Sequence, residues 1–138
     1  MTAPASDRVP HLLLFRDAGP DKYVNLTPEQ RAELVQRWSA WADGLIAQGK
    51  MRSGHPLQLG GCVISGKRGE LVTDGPYAEA KEAVAGYFFL TVKDFAEAQA
   101  IARQCPSFPY GISVEVRPIA EFSPALPDLR GRPATSEA

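Results

Sequence analysis

The chain is poor in the residues that usually announce chemistry. It has two cysteines, Cys62 and Cys105, and two histidines, His11 and His55. None of them forms a C-x-x-C pair, a Cys/His cluster or an H-E-x-x-H pattern, and no G-x-S-x-G is present, so the zinc and nucleophile-elbow motifs are excluded. Two isolated cysteines read as reduced thiols of a cytoplasmic protein. No apolar run approaches the roughly 18 residues of a membrane span. The first ten residues, MTAPASDRVP, lack the apolar core of a secretory signal. Neither sign of charge prevails: 15 Lys and Arg face 16 Asp and Glu, a formal net charge of -1. The basic residues form no stripe, so neither a direct nucleic-acid partner nor an anionic membrane is expected.

What remains is an ordinary globular composition, 44% hydrophobic and 22% charged over 138 residues, which suits one domain with a single core. Residues 1–10 are small, polar and proline-containing, and are expected to be a flexible arm. Residues 123–138 carry three prolines and no periodicity, and are expected to be a flexible tail or a partner-binding extension. The domain then covers residues 11–122. Residues 11–15 (HLLLF) read as a buried strand. Thr27-Pro28-Glu29-Gln30 reads as a helix start with a capping box and a proline at the first helical position. Leu34, Trp38, Trp41 and Leu45 follow at helical spacing, widened by Val35, Ala42 and Ile46, with Gly49 closing the helix. Residues 57–64 and 70–73 suggest a hairpin through Ser65-Gly66-Lys67-Arg68-Gly69. Residues 86–92 (GYFFLTV) make an aromatic, β-branched strand. Asp94 and Glu97 open a second helix that Pro106 stops. Ile112, Val114 and Val116 alternate with Ser113, Glu115 and Arg117 in a two-faced last strand. The order is β-α-β-β-β-α-β, an α+β protein. Two helices cannot cover both faces of such a sheet, and Tyr87, Phe88 and Phe89 place large rings on both, which favours a homodimer.

The segment richest in ionisable groups is residues 74–82, D-G-P-Y-A-E-A-K-E. Asp74 can cap Tyr77, because Pro76 has no N–H to offer, or serve a site as a free carboxylate. Glu79, Lys81 and Glu82 form a solvated face or a site wall, with Lys81 able to hold an anionic group. His55 sits in Gly54-His55-Pro56, read as a loop before the hairpin, and is the better placed imidazole for acid–base work. Arg117 can pair with Glu115 or offer its fork to a carboxylate or phosphate. Asp74 and His55 are therefore the candidate catalytic residues. Tyr77, Glu79, Lys81, Tyr87 and Arg117 are the candidate ligand-binding residues, and no metal or cofactor is expected. Gly61 to Lys67 satisfies G-x-x-x-x-G-K, but Arg68 replaces the magnesium-binding hydroxyl and a strand follows, so it is not a nucleotide loop.

The chain resembles the YCII-related proteins, in particular the subgroup named for its D-G-P-F motif. The matching parts are Gly54-x-Pro56-Leu57, residues 73–82, Gly86-Tyr87-Phe88, Ala98 with Ala102, Cys105-Pro106, Gly111 and Glu115-Val116-Arg117-Pro118. Tyr77 replaces the motif's Phe. The resemblance implies a ferredoxin-like fold that dimerises as an α/β barrel with a cleft on the sheet face. The wider family has been proposed to be enzymatic through a cleft His and an acidic residue. That His stands on the first helix, eleven positions before its terminal Gly, and Trp38 occupies the place here. The resemblance also implies, as an alternative to a small-molecule enzyme or binder of an anionic metabolite, an accessory role beside an extracytoplasmic-function sigma factor.

Overall fold

The computed structural model describes residues 8–17, 19–75 and 83–133. Its frame is a four-stranded antiparallel sheet in the order β2-β5-β1-β6, built from β1 (Val9–Asp17), β2 (Met51–Pro56), β5 (Ala83–Val92) and β6 (Ser113–Pro118). The register sorts the side chains. Leu13 lies between Phe88 and Val116, whereas its neighbours Leu12 and Leu14 lie between Phe89 and Arg117 and between Tyr87 and Glu115. Alternation along each strand then sends Leu13, Phe15, Phe88 and Leu90 to one face, where all four are buried. Leu12, Leu14, Tyr87 and Phe89 occupy the other face and are half-buried.

Both helices lie on the buried face. The first, α1 (Pro28–Ala47), starts in a complete capping box. Thr27 accepts from the Gln30 N–H at 3.1 Å, and the Gln30 side chain accepts from the Thr27 N–H at 2.9 Å. It ends in a Schellman motif, with Gly49 N–H bonded to the Ile46 carbonyl and Lys50 N–H to that of Leu45, both at 2.9 Å. Gly49 takes φ 71, a left-handed conformation that glycine adopts without a Cβ penalty. Of the apolar stripe, Leu34 and Leu45 are buried and Trp38, Trp41 and Ala42 pack on the core. Val35 and Ile46 are 59% and 53% exposed, so the contacting stripe is narrower than their apolar character suggested. The Phe15 ring sits among Trp38, Trp41 and Phe88, at centroid distances of 5.1, 5.9 and 4.9 Å.

The second helix, α2 (Phe95–Ala102), is capped by Asp94, whose carboxylate accepts from Glu97 N–H at 2.9 Å. Glu97 reaches back to Lys93 N–H at 2.8 Å and pairs with Lys50 at 3.2 Å. The backbone N–H first, and then Lys50, hold its carboxyl below the usual range. Ala98, Ile101 and Ala102 complete the core from this side.

One strand more than expected is present, and it corrects the reading of His55. Residues 51–56 form edge strand β2 against β5 instead of a loop, with His55 opposite Tyr87. The Gly and Pro content that signals a loop is tolerated at a sheet edge, and here the glycine is needed. A Cβ on Gly54 would lie 2.5 Å from Met51 Cε and 2.6 Å from Phe88 Cδ1. The expected hairpin exists as a separate two-stranded sheet, β3 (Cys62–Ser65) with β4 (Leu71–Asp74), inserted between β2 and β5. This mixed α+β arrangement is a ferredoxin-like sandwich with an inserted hairpin. Among the described residues, no helix is long and apolar enough to cross a membrane.

After β6 the chain continues in register, with Ile119 N–H bonded to the Pro10 carbonyl at 3.0 Å. Within the segment read as a tail, the described residues up to 133 form a hydrogen-bonded loop. Ser123 N–H meets the Leu129 carbonyl, Gly131 N–H meets that of Glu121, and Arg130 pairs with Glu121 at 3.2 Å.

Candidate functional site

A cleft of about 610 Å³ opens where α1 leans over one end of the sheet. Its lining is mostly apolar: Phe15, Leu34, Trp38, Ala42, Phe88 and Ile112. The polar groups enter at the end of β1. A bulge between Phe15 and Arg16 shifts the register there, and Asp17 lines the cleft. Asp17 Oδ2 accepts from the Tyr23 hydroxyl at 2.8 Å, while Oδ1 has a longer contact, 3.4 Å, with Gly19 N–H. Tyr23 is carried by a short 3-10 turn, Pro20–Tyr23, and its ring packs at a tilt against Tyr110, with centroids 5.3 Å apart. Burial pushes the Tyr23 phenol up to about 12, helped by the bond to Asp17 and its charge, while a hydrogen bond with Ser107 pulls the other way. At neutral pH the phenol is therefore a committed donor to Asp17. The carboxylate keeps acceptor capacity on Oδ1, facing an apolar hollow.

Trp38 provides a further polar contact in the cleft. Its Nε1 donates to Ser107 Oγ at 2.9 Å, and Ser107 is buried in the turn that follows Pro106. Trp38 is thus a cleft residue whose indole is already engaged with Ser107. Cys105, next to that turn, is buried, and burial pushes its thiol up to about 11. It is not a thiolate nucleophile at neutral pH. Cys62 is exposed, and both thiols are free.

The opposite wall is made by the paired ends of β2 and β5, residues 54–56 and 85–88. Gly86 is required there, since a Cβ would stand 2.9 Å from the His55 carbonyl oxygen and 3.2 Å from Pro56 Cα. His55 Nδ1 and the Tyr87 hydroxyl lie 2.9 Å apart, a cross-strand pair at the rim. The structure therefore brings together two of the residues singled out from sequence. Asp74 ends β4 in the inserted hairpin, is exposed, and is not part of the cleft lining. The cap from Asp74 to Tyr77, and Tyr77, Glu79 and Lys81 themselves, lie outside the described residues. Arg117 is on the open sheet face, bonded to Glu115 at 3.0 Å, and Arg16 binds the same carboxylate at 2.7 Å. The hydrogen bond from Arg117, then that from Arg16, hold the Glu115 carboxyl below its usual range. Arg117 therefore pairs with Glu115 along its own strand, and the cross-strand bridge to that carboxylate comes from Arg16 on β1.

Asp17, Tyr23, Trp38 and Ser107 are the site residues that sequence reasoning missed. Asp17 had a signal: it is an acid at the end of an apolar strand, followed by Gly19-Pro20. Tyr23 and Ser107 reach it only through tertiary structure. Among the described residues no group of three or more His, Cys, Asp or Glu comes together to hold a metal ion.

Fold and cleft together define a small α+β sandwich with both helices on one sheet face and a pocket under the first of them. The family model for the YCII-related domain matches residues 11–123, and the chain belongs to the YCII-related family. No curated protein matches it.

Proposed function

We propose that this chain is a small-molecule binding protein of the D-G-P-F subgroup, with Tyr77 in the fourth motif position, and that its ligand occupies the cleft between α1 and the sheet. The observation that carries the proposal is the Asp17–Tyr23 hydrogen bond of 2.8 Å inside an otherwise apolar hollow. Asp17 is half-buried, and a carboxylate partly withdrawn from water beside apolar walls is stabilised by a donor that uses its remaining acceptor. The ligand that fits is an apolar body bearing a hydrogen-bond donor or a cationic group. Asp17 would anchor that group, Trp38 and Phe88 would flank the apolar part, and His55 with Tyr87 would stand at the entrance. An anionic ligand would need a cation beside Asp17. Arg117 is committed to Glu115 on the other face, and Lys81 lies outside the described residues. The half-buried Leu12 and Leu14 support the pairing of two copies through the open face.

The test is a thermal-shift and tryptophan-fluorescence screen of the full chain against amines, alcohols and acids of matched size. Amines or alcohols that raise the melting temperature and perturb Trp emission, and lose both effects in Asp17→Asn, support the assignment. Stabilisation that survives Asp17→Asn removes it. Sedimentation as a monomer at micromolar concentration removes the dimer.

A second functional reading is favoured by one observation. Phe122, Leu126 and Leu129 of the C-terminal loop are 46%, 64% and 55% exposed, an apolar group suited to a protein partner. An extracytoplasmic-function sigma factor is the partner implied by resemblance. Unchanged capture of such a factor by a chain lacking residues 123–138 would exclude this loop as the contact.

A further inference from the structure

At the other end of the sheet a second hollow, of about 700 Å³, is lined by Arg8, Arg52, Arg130 and Arg132, with Glu121 the one carboxylate among the described lining residues. We propose that this groove is a binding site for an organic oxyanion, a carboxylate or phosphate carried on an apolar or aromatic body. Four of the chain's ten arginines gather here in a protein whose formal net charge is -1. The concentration is local, so it speaks of a site and not of general attraction to polyanions. Guanidinium groups match carboxylate and phosphate oxygens through paired donors, which lysines cannot do. Between the arginines the lining is apolar, with half-buried Phe89 together with Val9, Pro10 and Ile119. That composition favours an organic anion over a bare inorganic one.

The arginines come from three separate parts of the chain and are held by structure already described. Arg8 precedes β1 and bonds the Gly49 carbonyl at the end of α1. Arg52 belongs to edge strand β2. Arg130 and Arg132 project from the C-terminal loop, which the Gly131–Glu121 bond of 2.7 Å and the Arg130–Glu121 ion pair close on itself. Arg132 bonds the carbonyls of Arg130 and Gly131 at 2.7 and 3.4 Å, and among the described residues no carboxylate pairs with it. Arg130 lies 5.9 Å over the Phe122 ring. Holding charged side chains in advance reduces the ordering cost of binding. The loop that looked like a tail would thus form one wall of a site.

The probes are phenyl phosphate, benzoate and inorganic phosphate, titrated calorimetrically into the full chain at low salt. Saturable binding of phenyl phosphate or benzoate is expected, tighter than that of inorganic phosphate. Arg52→Gln and Arg132→Gln should each weaken it about tenfold, the size of one charge-assisted hydrogen-bonded contact. Lys67→Gln, in the distant hairpin turn, should leave it unchanged. Circular dichroism on each variant guards against misfolding, and Arg132→Gln in its surface loop keeps the test valid if Arg52→Gln unfolds. No saturable binding at ~10 mM probe, far weaker than paired guanidinium contacts imply, overturns the proposal. So does parental affinity in both Arg variants, or an equal loss in Lys67→Gln. Equal affinity for inorganic and phenyl phosphate overturns the apolar half of the assignment.

Discussion

Gly44 and Gly86 should respond to the same substitution with opposite signs. Gly44 lies within α1, and a Cβ built there meets nothing within 4 Å. Alanine at that position costs no contact and removes backbone freedom from the unfolded chain, a gain of about 0.5–1 kcal/mol. Gly86 lies in β5 against the end of β2, where a Cβ would come within 2.9 Å of the His55 carbonyl oxygen. That is well inside the ~3.5 Å at which non-bonded atoms rest. The obstacle is backbone and cannot rotate away, so the two strands must part. Overpacking of this kind costs about 1–3 kcal/mol. Urea unfolding of Gly44→Ala and Gly86→Ala should therefore separate by about 1.5–4 kcal/mol, with the parent chain between them. For a chain of this length each kcal/mol corresponds to about 3–4 °C in Tm. Because Gly86 also belongs to the cleft wall, Gly86→Ala should disturb the His55–Tyr87 pair as well as stability. A Gly86→Ala protein as stable as the parent would show that the strands are not in the register described, and the cleft wall would fall with it.

Two pH limbs follow from the shifted groups. Tyr23 and Cys105 have their folded values raised to about 12 and about 11, from 10.0 and 9.0. Their contributions are whole below pH 9 and are lost as pH rises through the folded values, so stability should fall between pH 9 and 12. Tyr23→Phe should shallow the upper part of that fall, and an unchanged slope would contradict the buried phenol. Glu115 is shifted the other way, its folded value lying below 4.5. Its contribution is present above pH 4.5 and is lost as pH falls through the folded value, so Glu115→Gln should lose less stability on acidification. Equal acid limbs in the two proteins would mean that the Arg16 and Arg117 bridges do not form in solution.

Local chemistry made much of the fold legible. The Thr27 box, the Asp94 cap, the Gly49 stop and the alternation in residues 112–117 are signals that act within a few residues, and the structure contains each of them. Strand β2 was not legible, because its Gly54 is there to let β5 approach, and that need exists only once β5 is alongside. The cleft was half legible for the same reason. His55 and Tyr87 stood out as ionisable groups near strands, and pairing brought them together. Asp17, Tyr23, Trp38 and Ser107 come from widely separated parts of the sequence, and the hydrogen bonds joining them are products of the folded chain. Trp38 in particular looked like a core residue of α1, and it is also a wall of the pocket.

The inserted hairpin enters and leaves the frame at almost one point. Leu57 N–H, just after β2, bonds the Ala85 carbonyl in β5 at 2.8 Å, so the two edges of the excursion are stitched together. A chain excursion anchored this way behaves as a cassette: its length enters stability only through a slowly growing closure entropy, about 0.6 kcal/mol for each doubling. Relatives could therefore lengthen, shorten or redecorate this turret while the sandwich beneath it, and the pocket under α1, kept their shape.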